Sequence, residues 1–389
     1  MLTGVNVALG VTGSIAAVKV VELAHELRRR GASVRAVMTG SARGIVHPWA
    51  VEFATENPVV TEITGSVEHV ELCGRDGWAD VLLVAPATAN TVGKMAAAVD
   101  DTPVTTCATT ALGADVPVVV APAMHEPMYD HPGVLDAIGR VEEWGVEFVD
   151  PRVEEGKAKI ATADDIALKL ARVATPSPLD GKYVVVTSGA TTEPIDPVRV
   201  LTSRASGKTG RAVARACYAY GANVALVHDA PDTRYSTGRR VETAEEMLRE
   251  VQDLITALPI DALISAAAIS DYTTDAADEK IRSGRDLTLD LERTPKLIDA
   301  VREDNPDLPI VGFKAETSGD DDAMVAAARE TLHRVGLSFV VANDASVMGE
   351  DETRALFVHE GSVREHRGTK ADLGFAVADE LVEELATEA

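Results

Sequence analysis

Short apolar runs alternate with longer amphipathic stretches along most of the chain. Residues 5–9 (Val-Asn-Val-Ala-Leu) form an apolar run of strand length, 10–14 a glycine-bearing turn, and 15–30 a helix stopped by Gly31. Residues 34–38 are the next strand, and strand, turn, helix, strand is a βαβ unit. Further buried strands are predicted at 81–85, 116–121 and 146–149, and a helix at 163–173. The two prolines of Ala174-Thr175-Pro176-Ser177-Pro178 cannot continue that helix, because each removes a backbone donor and clashes with the preceding turn. Past them the pattern restarts. A strand at 183–187, a turn at Ser188-Gly189-Ala190, a helix at about 209–220 ended by Gly221, and strands at 224–228, 262–265 and 339–341 follow. The last 20 or so residues read as an acidic amphipathic helix, expected to be a solvated surface element.

This pattern predicts an α/β protein of two three-layer, Rossmann-like or flavodoxin-like domains with mainly parallel sheets, spanning 1–174 and 179–389. Composition agrees. Aromatic residues are 4% of the 389, so the cores must be built from Ala, Val, Leu and Ile, which suits parallel strands buried on both faces. Acids outnumber bases 62 to 37, a net charge of −25, which disfavours nucleic acid and anionic membrane as partners. Cys73, Cys107 and Cys217 lie far apart with no metal-binding spacing, which points to a reducing, cytoplasmic setting. No apolar run reaches the roughly 18–20 residues of a membrane span, and the N-terminus lacks the basic segment of a signal peptide.

Candidate chemistry in the first half clusters after strands. Gly10-x-x-Gly13-Ser14-Ile15 opens a helix whose backbone N–H groups can hold a phosphate or simply form a tight turn. Ala85-Pro86-Ala87-Thr88-Ala89-Asn90-Thr91 follows a buried strand, at the strand end where doubly wound folds bind ligands. His69 sits in Val67-Glu68-His69-Val70-Glu71-Leu72, and Pro122-Ala123-Met124-His125-Glu126-Pro127-Met128-Tyr129 follows another strand. Residue 129 is Tyr, so His125-Glu126 does not open a zinc-protease motif.

Taken in order, these segments resemble the flavin-dependent cysteine decarboxylase family. The resemblance implies that Gly13, Ser14, Ile15, Thr39, Thr88, Asn90, Thr106 and Met124 hold FMN, that His69 is the base-like catalytic residue, and that His125 is a second catalytic position. In that family, oxidation of the substrate thiol acidifies the position beta to the carboxylate, CO2 leaves, and the electrons return to the enethiolate. Two departures stand out. Bacterial members carry asparagine where this chain has His125, and their substrate flap carries a proton-donating cysteine. The matching stretch here, Glu154 to Ile160, has none. Lys157, Lys159 or a water is then expected to supply the proton, with binding of the substrate phosphate as the other role open to these lysines.

The second half carries Ser206-Gly207-Lys208-Thr209-Gly210, a turn suited to phosphate. It is not a Walker A loop, because Thr202 stands where the first glycine belongs. Around it lie Thr187 to Arg199, Ser265-Ala266-Ala267 with Asp271, Glu279-Lys280-Ile281, Thr294-Pro295-Lys296-Leu297-Ile298, Gly312 to Thr317 and Ala342-Asn343-Asp344. This series resembles the phosphopantothenate–cysteine ligase family, which activates phosphopantothenate with CTP as an acyl-cytidylate and lets cysteine's amine displace CMP. The resemblance implies nucleotide contacts from Ser206, Gly207, Lys208, Ser265, Ala266, Ala267, Asp271, Lys280, Pro295, Lys296, Leu297, Ile298, Phe313 and Asn343. Lys280 is expected to stabilise charge together with Mg2+. Ser203 stands where the family has asparagine; bacterial members place two lysines before the Asn343 strand, and Arg329 and Arg334 lie near that stretch without aligning to them.

The two halves imply consecutive steps, so the whole looks like an archaeal-like bifunctional enzyme of coenzyme A biosynthesis. Its expected partners are 4'-phosphopantothenate, cysteine and CTP. Its expected state is a homo-oligomer, with decarboxylase trimers and ligase dimers building up to a dodecamer.

Overall fold

The structure is a computed structural model that describes residues 1–154, 157–229, 233–282, 286–316, 320–344 and 352–387. The chain forms two compact units, Met1–Pro176 and Ser177–Ala389.

In the first unit, β1 (Asn6–Val11), β2 (Ser33–Met38), β3 (Val81–Ala87) and β4 (Val118–Pro122) precede the short strand β5 (Met124–His125), and β6 (Glu147–Phe148) follows. The main sheet runs β2-β1-β3-β4-β6, all parallel. Every residue of β3 and β4 is buried, so these strands read as continuous apolar runs in the sequence. Strand order reverses direction between β1 and β3, the switch point where such sheets bind ligands. A hairpin of β7 (Arg152–Glu154) and β8 (Lys157–Lys159) pairs antiparallel with β5, placing His125 opposite Lys157. The stretch expected as one helix from residue 15 begins instead as a 3-10 turn, Ile15–Lys19, before the α-helix Val20–Arg29. The Ser14 hydroxyl caps the Ala16 N–H and donates to the Ala123 carbonyl, fixing a tight first turn against β4's end.

The second unit contains β9 (Tyr183–Thr187), the antiparallel pair β10 (Thr192–Asp196) and β11 (Arg199–Thr202), then β12 (Asn223–His228), β13 (Thr237–Arg240) and β14 (Ala262–Ser265). After the small pair β15 (Tyr272–Thr273) and β16 (Glu292–Arg293) come β17 (Ile310–Glu316), β18 (Phe339–Asp344), β19 (Glu352–Val358) and β20 (Val363–Thr369). The large sheet runs β13-β12-β9-β14-β17-β18-β19-β20, parallel up to β18 and antiparallel beyond it. The α/β class with mainly parallel sheets is therefore as the pattern predicts. The hairpins are not, because their polar, short strands carry no buried run. The edge strand β20 is charged along its length, which guards an open sheet edge.

The terminal helix Lys370–Thr387 corrects the expectation of a solvated element. Its Leu373, Val377 and Leu381 are fully buried, each contributing about 1.5–3 kcal/mol. A Cβ on Gly374 would lie 2.5 Å from the Ala212 carbonyl of the helix Lys208–Ala219, so only glycine allows this approach. Acidic residues colour the outer face and hide an apolar stripe.

All three cysteines are buried and free. Burial pushes the Cys217 thiol up to about 12, and contact with Cys107, then burial, pushes Cys73 up as well. Because the thiolate is the reacting species, the native protein is expected to show no fast-reacting thiol toward an aromatic disulfide at pH 8. Denaturant should expose all three. One equivalent of rapid reaction in the folded protein would contradict this burial.

Candidate active sites

A cavity of about 680 Å³ opens at the carboxyl ends of β1, β3 and β4, within the range of ligand pockets. Gly13, Ser14 and Ile15 line it from the β1 turn, Thr88 from the end of β3, and Ala123, Met124 and His125 from β4 and β5. The turns are tightly fitted. A Cβ on Gly13 would fall 2.4 Å from the Ser41 hydroxyl, so glycine lets the turns after β1 and β2 touch. Thr12 donates to the Pro86 carbonyl at 2.7 Å and accepts from the Thr88 N–H, locking the β1 and β3 turns together. Lys19, Arg152 and Lys159 add positive charge to the wall. They were not in the expected flavin set, although Lys19 stands one helical turn beyond Gly-Ser-Ile and that spacing was a usable signal.

Other expected residues are not among those lining this cavity. Thr39 caps the turn Gly40–Arg43 through Ala42 and touches the Ser41 hydroxyl at 3.1 Å. Thr106 bonds the Thr102 carbonyl within its helix, and Asn90 is exposed on the first turn of the helix Ala89–Ala96. None of the three is among the residues lining the cavity. His69 is not among them either. It sits on the helix Glu68–Cys73 with its Nδ1 buried and no hydrogen-bond partner among the described residues. The Lys157 backbone lies in β8, but its side chain is outside the described residues, as are Glu155 and Gly156.

A second cavity, about 260 Å³, lies in the other unit at the ends of β14 and β17, beside the switch between β9 and β14. It gathers Ser265, Ala267, Asp271, Pro295, Lys296, Leu297, Ile298 and Phe313, and adds Lys314 and Arg334. Lys296 pairs with Asp271 across its mouth. Ala266, Lys280 and Asn343 are not among the lining residues. Asn343 keeps a buried Oδ1 with no partner among the described residues, a polar atom suited to a ligand donor. Ser206, Gly207 and Lys208 form a separate turn. Gly207 is left-handed at φ 67°, and the Ser188 hydroxyl donates to its carbonyl at 2.9 Å. Thr317 falls outside the described residues.

The hairpin of β10 and β11 carries a strongly perturbed carboxylate. Hydrogen bonds from the Arg199 guanidinium hold Asp196 well below the usual carboxylate range, and the N–H groups of Val198, Ile281 and Arg199 deepen the effect. A depressed folded pKa contributes stability that is complete above the unfolded value and is lost only as pH falls through the folded one. Asp196 therefore stays ionised throughout the working range of an enzyme.

Residues 1–175 match the Flavoprotein family, and residues 179–387 match the DNA/pantothenate metabolism flavoprotein C-terminal domain. The coenzyme A biosynthesis bifunctional protein CoaBC of Thermococcus kodakarensis is 46% identical over 385 residues, covering 98% of this chain and 95% of the relative.

The chain belongs to the CoaBC family.

The CoaBC of Methanocaldococcus jannaschii is 33% identical, covering 98% of this chain and 94% of its own. A solved structure of the FMN-dependent cysteine decarboxylase SpaF is 31% identical over 45% of this chain and all of that one, with a TM-score of 0.40. The motif resemblances in both halves thus lead to the family that the whole chain matches, a bifunctional protein of coenzyme A biosynthesis. Among the described residues, no helix is long and apolar enough to cross a membrane.

Proposed function

We propose that residues 179–389 join cysteine to 4'-phosphopantothenate through an acyl-cytidylate made from CTP. We propose that residues 1–174 then decarboxylate 4'-phosphopantothenoylcysteine to 4'-phosphopantetheine with FMN, in the cytoplasm. The observation that carries this reading is the pair of cavities. Each lies at the strand ends beside the switch point of its own parallel sheet, and each is lined by residues of the motif for its own reaction.

The first cavity suits a flavin. Gly13, Ser14 and Ile15, with Lys19 nearby, would hold its phosphate, and Thr88 and Met124 would contribute to the rest of its binding. Bound there, FMN supplies the two-electron oxidation and return that loss of CO2 from a thiol substrate requires. His69 takes and returns the substrate proton. His125 and Lys159, both on the cavity wall, would deliver the proton that finishes the reaction in place of the absent flap cysteine. Lys157, opposite His125 in the strand register, is the other candidate.

In the ligase, Lys296, Lys314 and Arg334 supply cations for the triphosphate, and Lys280 stabilises charge developing on the phosphate as the amine displaces CMP. Among the described residues, no three His, Cys, Asp or Glu side chains converge on a metal position. Mg2+ commonly binds through substrate phosphates, and we assign it to the nucleotide on that ground, with no protein step routed through it.

The working state is a homo-oligomer, with trimers of the first unit and dimers of the second as the assemblies implied. His69 lies off the cavity wall of its own unit. Ile15, Trp49 and Phe53 are each about three-quarters exposed (77%, 76% and 75%), large apolar side chains that a partner copy would cover.

One incubation tests the whole reading. With phosphopantothenate, cysteine, CTP and Mg2+, mass spectrometry should find phosphopantothenoylcysteine and then phosphopantetheine. No ligated product with CTP or ATP would sink the ligase assignment. Loss of CO2 without the saturated product would show that neither His125 nor the lysines deliver the last proton.

A further inference from the structure

Lys280 is exposed and lies on a long excursion that leaves the nucleotide cavity at Asp271 and returns at Thr294. The foot of the excursion is closed by β15 and β16 and by the Thr274 hydroxyl donating to the Asp290 carbonyl. A flexible lysine on such a segment is a poor catalyst unless something fixes its backbone, since misplacement by about 1 Å can cost ~10²-fold in rate.

The β10–β11 hairpin provides that fixation. The Ala277 N–H donates to the Ile195 carbonyl at 3.0 Å. One residue beyond Lys280, the Ile281 N–H donates to Asp196 Oδ2 at 3.0 Å, while the Arg199 guanidinium donates to the Ile281 carbonyl at 2.5 Å. Both backbone groups of Ile281 are thus held by one ion pair. Arg199 also binds Asp196 Oδ2 through Nε at 2.9 Å, and the Asp196 side chain is wholly buried. The near end of the hairpin is tied to the nucleotide cavity. The Thr191 hydroxyl, one residue before β10, accepts from the N–H of Ser270, which lines that cavity. A hydrogen-bonded two-stranded hairpin therefore runs from the cavity wall to the lysine's neighbour.

We infer that Asp196 is a positioning residue for ligation, acting through Ile281 to hold the backbone of Lys280. This rests on the ligase role proposed above for Lys280. The two Asp196 oxygens divide the work. Oδ1 accepts from the N–H groups of Val198 and Arg199 and closes the hairpin turn, at 2.9 and 3.0 Å. Oδ2 serves Ile281 and Arg199.

Asp196→Asn separates the two roles in the full-length enzyme. The amide oxygen can still close the turn, and the amide NH2 then faces the Ile281 N–H, donor against donor. The variant is expected to ligate with kcat lowered about 10–100-fold and a KM for CTP within about twofold of wild type, and to decarboxylate supplied phosphopantothenoylcysteine normally. Hydrogen exchange should accelerate in a peptide spanning 277–282 and stay unchanged in one spanning 192–202. Lys280→Ala should lower kcat by itself, and the double variant should be no slower than Lys280→Ala, because both changes remove one function. Arg199→Lys keeps the turn and a cation and loses the planar fork shared between Asp196 and Ile281. It should behave like Asp196→Asn, and it stands in for that variant if the asparagine chain does not fold. Wild-type ligation by Asp196→Asn, or multiplying losses in the double variant, beside a slow Lys280→Ala would overturn the positioning role alone. Wild-type ligation by Lys280→Ala would overturn the lysine's role and this inference with it.

Discussion

A His69→Ala chain is expected to make phosphopantothenoylcysteine at the wild-type rate and to decarboxylate it about 10²–10⁴-fold more slowly, the usual contribution of a positioned acid or base. The separation of the two effects follows from the architecture. His69 lies on the helix Glu68–Cys73 in the first unit, while the ligase residues belong to the second. Its Nδ1 is buried with no partner among the described residues, so the substitution breaks no hydrogen bond described there and leaves folding nearly unchanged. A change of imidazole to methyl should therefore read as lost chemistry. The checks are the rate of CO2 release from supplied substrate, the flavin absorbance per chain and the melting temperature. Decarboxylation within about threefold of wild type, with flavin retained, would remove His69 from the mechanism.

A Gly13→Val chain is expected to purify with little or no flavin, its FMN affinity lowered by ~100-fold or more, about 2.8 kcal/mol. The physical cause is local. Even a single Cβ at Gly13 would meet the Ser41 hydroxyl at 2.4 Å and the Ser41 backbone carbon at 3.2 Å. Ser41 cannot simply rotate away without cost, because its hydroxyl touches Thr39, whose own hydroxyl caps the Ala42 N–H. Relief must move the turn after β1 or the turn after β2, and the first of these forms the cavity wall. Ligation should be unaffected. Stoichiometric flavin in the purified variant would show that Gly13 only shapes a turn. The two variants also report on assembly when mixed and reassembled. If one copy supplies the cavity and another His69, Gly13→Val and His69→Ala chains complement each other and regain part of the decarboxylase rate. If one chain carries the whole site, the mixture stays inactive.

Several features were legible in the sequence because they depend on short-range chemistry. Strands buried on both faces must be apolar throughout, so residues 81–85 and 183–187 announced β3 and β9 without reference to any partner. Glycine turns after such strands, with hydroxyl-bearing residues behind them, marked where ligands could bind. The motif order in each half was specific enough to name a family for each. The terminal helix shows the limit of this kind of reading. Its charge count described the face seen by solvent, and nothing local reported that Leu373, Val377 and Leu381 would meet another helix at Gly374.

By itself, then, the sequence determined the α/β class, the glycine turns and the residue types offered to flavin and nucleotide, since each follows from burial or backbone sterics within a few residues. Only the tertiary structure decided which of them meet. It put Gly13, Met124 and His125 around one cavity and left His69, Thr39 and Thr106 off its wall. It paired the flap strand with His125, and it set the Asp196–Arg199 ion pair on both backbone groups of Ile281, 82 residues beyond Arg199. The reason is that such contacts depend on strand order and loop path, which join residues far apart in the chain and leave no periodic trace in either partner.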